Sequence, residues 1–378
     1  MRQRTVRKKS ADALTQKPIA NQRMFVDSRI RQTSRRLLFQ RKNARKKIVS
    51  AAISVIWRMR FKAGELYHVV NVYTHPIFYK HDTGIGHPEN AARIDAAIEG
   101  VRRSGISDRI VREPQPHADT QRIIAKVHSD DYERELELAC RGGYRLFHSV
   151  DNPISSQTFA AARAAVATAL RAADDMMSTA ERAFVIARPP GHHAERVKAM
   201  GFCFFNTIAC VAEWLREQKG IERVFIFDFD VHHGNGTQHL FEQRDDVYYA
   251  SMHRYPFYPG TGAINEIGIG IGKGYTRNIP FPESTGDAQY LRAVEDEIVH
   301  VIDDYKPDAI LLSAGFDAHR RDPLGGMNVT ERAYGEITRR MVEAAERHAS
   351  GRVLSLLEGG YDMEALAASV DEHLRALA

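Results

Sequence analysis

The stretch VFIFDFDVHHGNGTQ, residues 224–238, is the part of the sequence that decides the fold. It begins with an apolar run, which is typical of a strand that is buried on both faces of a sheet. Polar groups able to bind a metal follow within six positions: Asp228, Asp230, His232 and His233. Period-two alternation along a strand places the first three of these on one side. The stretch therefore predicts a polar site at the end of a buried strand.

Two carboxylates and an imidazole that converge in apolar surroundings repel and desolvate one another unless a cation compensates them. Oxygen and nitrogen ligands without cysteine suit zinc in an open catalytic site, and ligand type alone leaves iron, cobalt and manganese open. The alternative is a cluster of acids in an ordinary loop. The density of ligands favours the metal site.

The composition places limits on the class of protein. A chain of 378 residues can hold one large α/β domain or two smaller ones. It contains no run of 18 apolar residues, so we predict no membrane span. Cys140, Cys203 and Cys210 have no metal-binding spacing and indicate a reducing compartment, so we expect a cytoplasmic protein.

Charge is distributed unevenly along the chain. Residues 1–62 contain 19 Lys or Arg and two Asp, a net charge of +17, so residues 63–378 contain 34 basic and 46 acidic residues, a net charge of −12. The basic segment could bind nucleic acid or an anionic membrane surface, could be a transit-like segment, or could be dispensable sequence before a later start at Met59. We predict a disordered or dispensable extension, 1–62, followed by one catalytic domain, 63–378.

Strand and helix patterns alternate from residue 66 onward, which predicts an α/β fold with a mainly parallel sheet and helices on both faces. The predicted strands are 66–74, 183–187, 224–229, 247–253, 309–315 and 352–357. The predicted helices begin at Pro88 and cover 117–141 with a break near His128, then 155–178, 207–219, 287–305 and 328–348.

Further polar residues follow the other predicted strands. His192 and His193 come after the second strand, Asp317 follows the strand AILLSAG, and Tyr361 follows a Gly-Gly turn after the last strand. Asp151 lies in a loop between two helices, where we expect it to face a substrate. Because the carboxyl ends of parallel strands share one edge of a sheet, most of these residues are expected to meet there.

Six motifs taken together resemble the zinc-dependent histone deacetylase family, which includes bacterial histone deacetylase-like amidohydrolases and acetylpolyamine amidohydrolases. They are HDTGIGHPE (81–89), RPPGHHA (188–194), GFCFFN (201–206), DFDVHHGNGTQ (228–238), SAGFDAHRRDPLGG (313–326) and LEGGY (357–361). The resemblance implies the arginase-deacetylase fold, a single domain built on a mainly parallel sheet of about eight strands.

The resemblance also implies roles for individual residues. The zinc ligands would be Asp230, His232 and Asp317. His192 and His193 would flank the reacting water, with His193 as the general base and His192 acting mainly through its charge. Tyr361 would donate a hydrogen bond to the substrate carbonyl and to the oxyanion formed from it.

Other residues would support this centre, again by resemblance. Asp228 would back His192, and Asn235 would hold His193, which points to the class II-like branch. The substrate tunnel would be formed by Gly201, Phe202 and Tyr258. A potassium ion is also expected, held by Asp228, Ser251 and Met252.

These features predict a zinc-dependent enzyme that hydrolyses an N-acetyl amide to acetate and a free amine, most simply acetyl-lysine in a protein or peptide. An acetylpolyamine or another small acylated amine is the close alternative, since the metal centre would be the same. A manganese ureohydrolase of the same fold is disfavoured because it uses two metals and more acidic ligands. A silent acyl-lysine-binding protein is disfavoured because His192, His193, Tyr361 and all three ligands are present.

Overall fold

The computed structural model describes residues 69–218 and 220–378. The predicted basic extension and its boundary with the catalytic domain lie outside the described residues, so both stay predictions. The predicted strand 66–74 is described from Val70 onward.

Eight parallel strands form one sheet in the order β2-β1-β5-β10-β9-β6-β7-β8. Two further strands, β3 and β4, form a small antiparallel pair. The strands are β1 (Val70–Thr74), β2 (Ile110–Arg112), β3 (Leu146–Phe147), β4 (Ser149–Pro153), β5 (Arg182–Val185), β6 (Val224–Asp228), β7 (Val247–Arg254), β8 (Thr276–Phe281), β9 (Ala309–Ala314) and β10 (Val353–Leu357). The prediction of a single, mainly parallel sheet of about eight strands is confirmed.

Helices connect the strands and cover both faces of the sheet. They are α1 (Ala92–Ser104), α2 (Thr120–Val127), α3 (Asp130–Arg141), α4 (Thr158–Thr179), α5 (Thr207–Arg216), α6 (Asn235–Phe241), α7 (Asp287–Ala293), α8 (His300–Tyr305), α9 (Glu331–His348) and α10 (Met363–Leu377). A π-helical segment, Val294–Val299, joins α7 to α8. No helix within the described part of the chain is long and apolar enough to cross a lipid bilayer.

The central strands are fully buried, as their continuous apolar sequences predict. Every residue of β5, β6, β9 and β10 is buried. Helices α1, α9 and α10 pack together as one group, and α2, α4 and α5 pack together as another. Burial of both sides of a strand requires a covering layer on each face, which the two helix groups supply.

The start of α1 differs from the prediction. The helix begins at Ala92 instead of Pro88, one turn later than expected. The Glu89 backbone N–H donates to Nδ1 of His87, and the Ala92 N–H donates to the Asn90 side-chain oxygen. Local bonds of this kind compete with the helical ladder. Residues before Ala92 therefore form turns.

The structure also differs from the predictions for the end of α5 and for Asp151. Helix α5 ends at Arg216 and not at Lys219, which lies outside the described residues. Asp151 lies on strand β4 and not in a loop. This strand was not predicted because β3 and β4 are short and lack an alternating apolar pattern, and the turn between them depends on His148, whose φ is +64°.

Four neighbouring strands position the polar residues. The motifs that follow β5, β10, β9 and β6 are adjacent at the carboxyl edge because these strands are consecutive in the sheet. In chain order they are far apart. Parallel sheets commonly bind ligands at this edge.

Candidate active site

Three side chains from the ends of β6 and β9 form a buried cluster able to hold a metal. One ligand atom each from Asp230, His232 and Asp317 lies within 4.8 Å of the others. Nδ1 of His232 is 3.1 Å from Asp230 Oδ1 and 3.2 Å from Asp317 Oδ2. The structure brings together the three residues that were predicted as zinc ligands.

Backbone donors hold the outer oxygens of both carboxylates. The Gly359 N–H donates to Asp230 Oδ2 at 2.8 Å, and the Val231 N–H donates to Asp317 Oδ1 at 2.8 Å. Asp317 Oδ2 is buried and has no hydrogen-bond partner among the described residues. A buried carboxylate oxygen without a donor is costly, and a cation at this position would satisfy it. The donor set of two carboxylates and one imidazole fits Zn²⁺ with an open coordination position.

The electrostatics of the cluster also fit a cation. Burial, together with the charge of Asp230, raises the pKa of Asp317 to about 7. Burial opposes protonation of His232, but its close contacts with the Asp230 and Asp317 carboxylates raise its pKa to about 9. The two carboxylates therefore favour a positive charge between them.

Asp228 lies outside this cluster. Alternation along a strand predicts it on the same side as Asp230, but β6 ends at Asp228 and the alternation ends with it. Its Oδ2 instead accepts hydrogen bonds from His192 Nδ1 at 3.0 Å and from the Tyr249 hydroxyl at 3.2 Å. This is the supporting position that the family resemblance implied, not the metal position that simple alternation implied.

The tandem histidines lie side by side with different partners. Their ring centroids are 4.0 Å apart. His192 pairs with the Asp228 carboxylate, whereas His193 Nδ1 pairs with Asn235 Oδ1 at 2.7 Å. Asp228 is the last residue of β6 and Asn235 is the first residue of α6, so the segment that joins this strand to this helix places the support for both histidines.

The partners drive the two pKa values in opposite directions. Burial would lower the pKa of His192, but Asp228 and Asp230 raise it to about 10. Burial, followed by the nearby charges of His192 and His232, lowers the pKa of His193 well below its ordinary value. At neutral pH His192 is therefore cationic and His193 is neutral. The charge of His192 suits it to stabilise negative charge, and neutral His193 is suited to accept a proton.

Tyr361 is brought to the same edge by the turn after β10. Its backbone N–H donates to Asp322 Oδ2 at 2.7 Å, and the Arg93 guanidinium lies 5.0 Å from the centre of its ring. Burial raises the pKa of Tyr361 well above its ordinary value, so its hydroxyl keeps the proton that a donor needs.

Gly201 and Phe202 form one wall beside the histidines. Gly201 has φ +58°, and a Cβ at this position would lie 2.1 Å from Cδ2 of His193. Only glycine therefore fits here. Phe202 also has a positive φ, +68°, and its backbone N–H donates to Asn152 Oδ1 at 3.0 Å.

Tyr258 forms the opposite wall and is tied to Asp151. Its ring meets His193 edge-on with centroids 5.2 Å apart. Its hydroxyl donates to Asp151 Oδ2 at 2.9 Å, and the same oxygen accepts from the Gly201 N–H at 3.1 Å. Asp151 therefore links the two walls. Phe257, beside Tyr258, stacks on the His232 ring at 5.3 Å.

The residues expected to hold potassium lie on adjacent strands. Asp228 and Ser251 are register partners in β6 and β7, and Met252 follows Ser251. Ser251 Oγ is 2.9 Å from His253 Nδ1. A potassium ion at this position stays a prediction.

Several supporting residues escaped the sequence analysis. Buried Glu358 accepts hydrogen bonds from the backbone N–H groups of Gly191 and His192, at 2.7 and 3.2 Å. Buried Arg93 donates to the carbonyl oxygens of Glu358 and Gly360. Glu358 stands next to glycine in the LEGGY motif, which was a signal in the sequence. Its partners, Gly191 and His192, are more than 160 residues away in the chain.

A second buried group of residues that can bind metals already has hydrogen-bond partners within the protein. His192, Cys203 and Glu358 also lie within 4.8 Å of one another. His192 is paired with Asp228, Glu358 accepts backbone N–H groups, and the Cys203 thiol donates to the Gly201 carbonyl at 3.2 Å. Burial raises the pKa of the Cys203 thiol well above its ordinary value, which disfavours the thiolate that a metal needs.

Known proteins match this chain in sequence and in fold. The histone deacetylase domain family matches residues 87–377. A probable deacetylase of Archaeoglobus fulgidus is 39% identical over 299 residues, covering 78% of this chain and 82% of the relative. A histone deacetylase-like amidohydrolase of Pseudomonas aeruginosa is 35% identical over 277 residues, covering 72% of this chain and 71% of the relative.

A solved structure agrees with the sequence matches. The crystal structure of the HDA15 HD domain superposes with a TM-score of 0.77 at 32% identity, covering 82% of this chain and 88% of the other. The family match and the names of the relatives support deacetylase-type hydrolysis in general. The predicted resemblance is confirmed, and the chain belongs to the histone deacetylase family.

Proposed function

We propose that this protein is a zinc-dependent deacetylase that hydrolyses acetyl-lysine in proteins or peptides, releasing acetate and the free amine. The observation that supports this most directly is the cluster of Asp230, His232 and Asp317 beside two histidines with opposite pKa shifts. Amide hydrolysis needs a polarised carbonyl, a base for water and an acid for the leaving amine. This arrangement supplies a group for each requirement.

The three ligands would hold Zn²⁺. Bound there, Zn²⁺ would polarise the acetyl carbonyl and make a water molecule more acidic. Potassium bound near Asp228 and Ser251 would have a structural role in this proposal, since Asp228 is the residue that orients His192.

The protein residues would then move the proton and stabilise the charge. His193 donates its Nδ1–H to Asn235, so its Nε2 is free to accept a proton from the attacking water. The same nitrogen would return that proton to the amine as the carbon–nitrogen bond breaks. Cationic His192 would favour the developing negative charge, and the Tyr361 hydroxyl would donate a hydrogen bond to the oxyanion.

Two exposed apolar side chains at the proposed rim of the site support a peptide substrate over a polyamine. Ile85 and Val150 are exposed apolar side chains. Val150 directly precedes Asp151, and the loop that contains Ile85 is joined to the wall through the ring contact of His87 with Phe202, at 4.8 Å. Apolar rim residues offer contact to a peptide chain, whereas a polycation would gain more from carboxylates.

A substrate panel tests the proposal. Acetyl-lysine peptides, acetylputrescine and acetylspermidine would be compared by acetate release, with metal analysis of the same sample. We expect zinc at one equivalent and the highest kcat/KM with peptides. Preference for an acetylpolyamine would replace the substrate class, and no acetate release from the zinc-loaded protein would overturn the proposed reaction.

A further inference from the structure

The orientation of the Asn235 side chain decides which nitrogen of His193 carries the proton. As described above, Asn235 Oδ1 accepts from His193 Nδ1, which leaves Nε2 with its lone pair. If the amide were rotated by half a turn, its NH₂ group would face Nδ1. A neutral His193 would then have to protonate Nε2 and would lose its ability to act there as a base. Something must therefore hold the amide in one orientation.

Glu195 lies where it can hold the Asn235 amide in one orientation. Asn235 Nδ2 donates to Glu195 Oε1 at 2.5 Å, and it also lies 3.3 Å from the His193 carbonyl oxygen and 3.2 Å from Met200 Sδ. All three partners accept hydrogen bonds. A carboxylate accepts only, so the rotated amide would place an oxygen against an oxygen. We infer that Glu195 is a positioning residue that selects the His193 tautomer through the Asn235 amide.

The position of Glu195 is itself defined. Its carbonyl oxygen is 3.0 Å from Nδ1 of buried His128, and its N–H donates to the Lys198 carbonyl at 2.9 Å. Its Oε1 is also 2.7 Å from Nδ1 of His239, a partly exposed residue of α6. A hydrogen-bonded series thus runs from His193 through Asn235 and Glu195 to His239 at the surface. The inference rests on the proposed role of His193 as the base.

The chain offers a matched control for Glu195. Glu213 borders the same surface cavity of about 280 Å³. The exposed fractions of the two side chains are similar, 21% for Glu195 and 17% for Glu213. Glu213 pairs with Arg244 and not with Asn235. Glu213→Ala therefore removes the same charge from the same cavity without touching the amide.

Nitrogen NMR of histidine-labelled protein measures the tautomer directly. The His193 signals would be assigned by their loss in His193→Gln, and the spectra would be recorded without zinc. We expect the Nδ1–H tautomer in the wild type and in Glu213→Ala, and a mixture of both tautomers in Glu195→Ala. The wild-type tautomer unchanged in Glu195→Ala would overturn the inference.

Kinetics provide the second measurement. We expect Glu195→Ala to lower kcat by about 10- to 100-fold, as removal of an orienting partner commonly does, with normal zinc content and little change in KM. Glu195→Gln keeps the side-chain size but can donate as well as accept, so it no longer excludes the rotated amide. We expect its kcat to lie between those of the wild type and Glu195→Ala. Formate should partly rescue Glu195→Ala, because the shortened side chain leaves space for a small carboxylate between Asn235 and the surface cavity that Glu195 borders.

The controls separate this inference from the proposed reaction. Equal loss in Glu195→Ala and Glu213→Ala would show an effect of cavity charge and would overturn the inference. If the wild type released no acetate from any substrate, the proposed function would fail, while the NMR comparison would still test the tautomer. Unfolding temperatures of both alanine variants would identify a loss of activity caused by misfolding.

Discussion

At the scale of the residue, function depends on the partner that each side chain meets. His192 and His193 are adjacent and chemically identical, yet one faces the Asp228 carboxylate and the other the Asn235 amide. A carboxylate stabilises the imidazolium, whereas a neutral amide in a buried site does so far less. The division of labour proposed for the pair therefore originates in residues 36 and 42 positions further along the chain.

Tyr361→Phe removes one hydroxyl and should leave the metal ligands in place. We expect normal zinc content and a kcat about 10²- to 10³-fold lower, the usual effect of losing one oxyanion donor. Steady-state kinetics with metal analysis check this. Tyr290→Phe is the control, because the Tyr290 hydroxyl is buried with no hydrogen-bond partner among the described residues. A Tyr361→Phe enzyme as active as the control would remove Tyr361 from the mechanism.

At the scale of the element, the proposed substrate passage is assembled from segments that belong to different parts of the fold. Asp151 on β4 accepts from Gly201 in one loop and from Tyr258 in another. The positive φ values of Gly201 and Phe202 turn that loop so that its backbone, and not its side chains alone, faces His193. A short two-stranded sheet therefore holds these two loops together.

Tyr258→Phe tests this link between elements. Without the hydroxyl, the ring at position 258 is no longer bonded to Asp151. We therefore expect KM to rise about threefold to tenfold with kcat nearly unchanged, which is the pattern seen when substrate and transition state lose the same binding energy. Asp151→Asn and the double variant complete a mutant cycle. If the effects of the two single changes on kcat/KM add up to that of the double variant, the Tyr258 and Asp151 side chains are not coupled, and the proposed link is wrong.

At the scale of the whole molecule, buried neutral histidines make stability depend on pH. Burial lowers the pKa of His373 to about 3. Its ring lies between the hydroxyl groups of Thr338, at 2.6 Å, and Ser355, at 2.9 Å. The unfolded chain binds this proton near pH 6.5 and the folded chain does not, so the contribution of His373 to stability is lost as pH falls from about 6.5 towards 3.

His373→Gln should flatten this dependence. Between pH 6.5 and 5 we expect the free energy of unfolding of the wild type to fall more steeply than that of the variant, by about 1.4 kcal/mol per pH unit at most. Urea unfolding of the metal-free proteins at several pH values measures both slopes. A lower stability of the variant at pH 6.5 does not affect the comparison of slopes. Parallel slopes would show that His373 does not titrate as described.

Removal of residues 1–62 tests the division of the chain. The deletion removes a charge of +17 and leaves every residue of the proposed site in place. We expect the shortened protein to keep its zinc and a kcat/KM close to that of the full chain, measured with the best peptide substrate. An insoluble or inactive product would show that the basic segment belongs to the catalytic domain.

The sequence by itself determined the parallel α/β fold and the edge of the sheet where the chemistry lies. Continuous apolar strands and the polar groups after them, such as Asp230 and Asp317, are local patterns, and local patterns survive in a linear sequence. Only the tertiary structure decided that Asp151 lies on a strand tied to Tyr258 and that Glu195 holds Asn235. These choices depend on contacts between residues 40 to 107 positions apart, which no local pattern encodes.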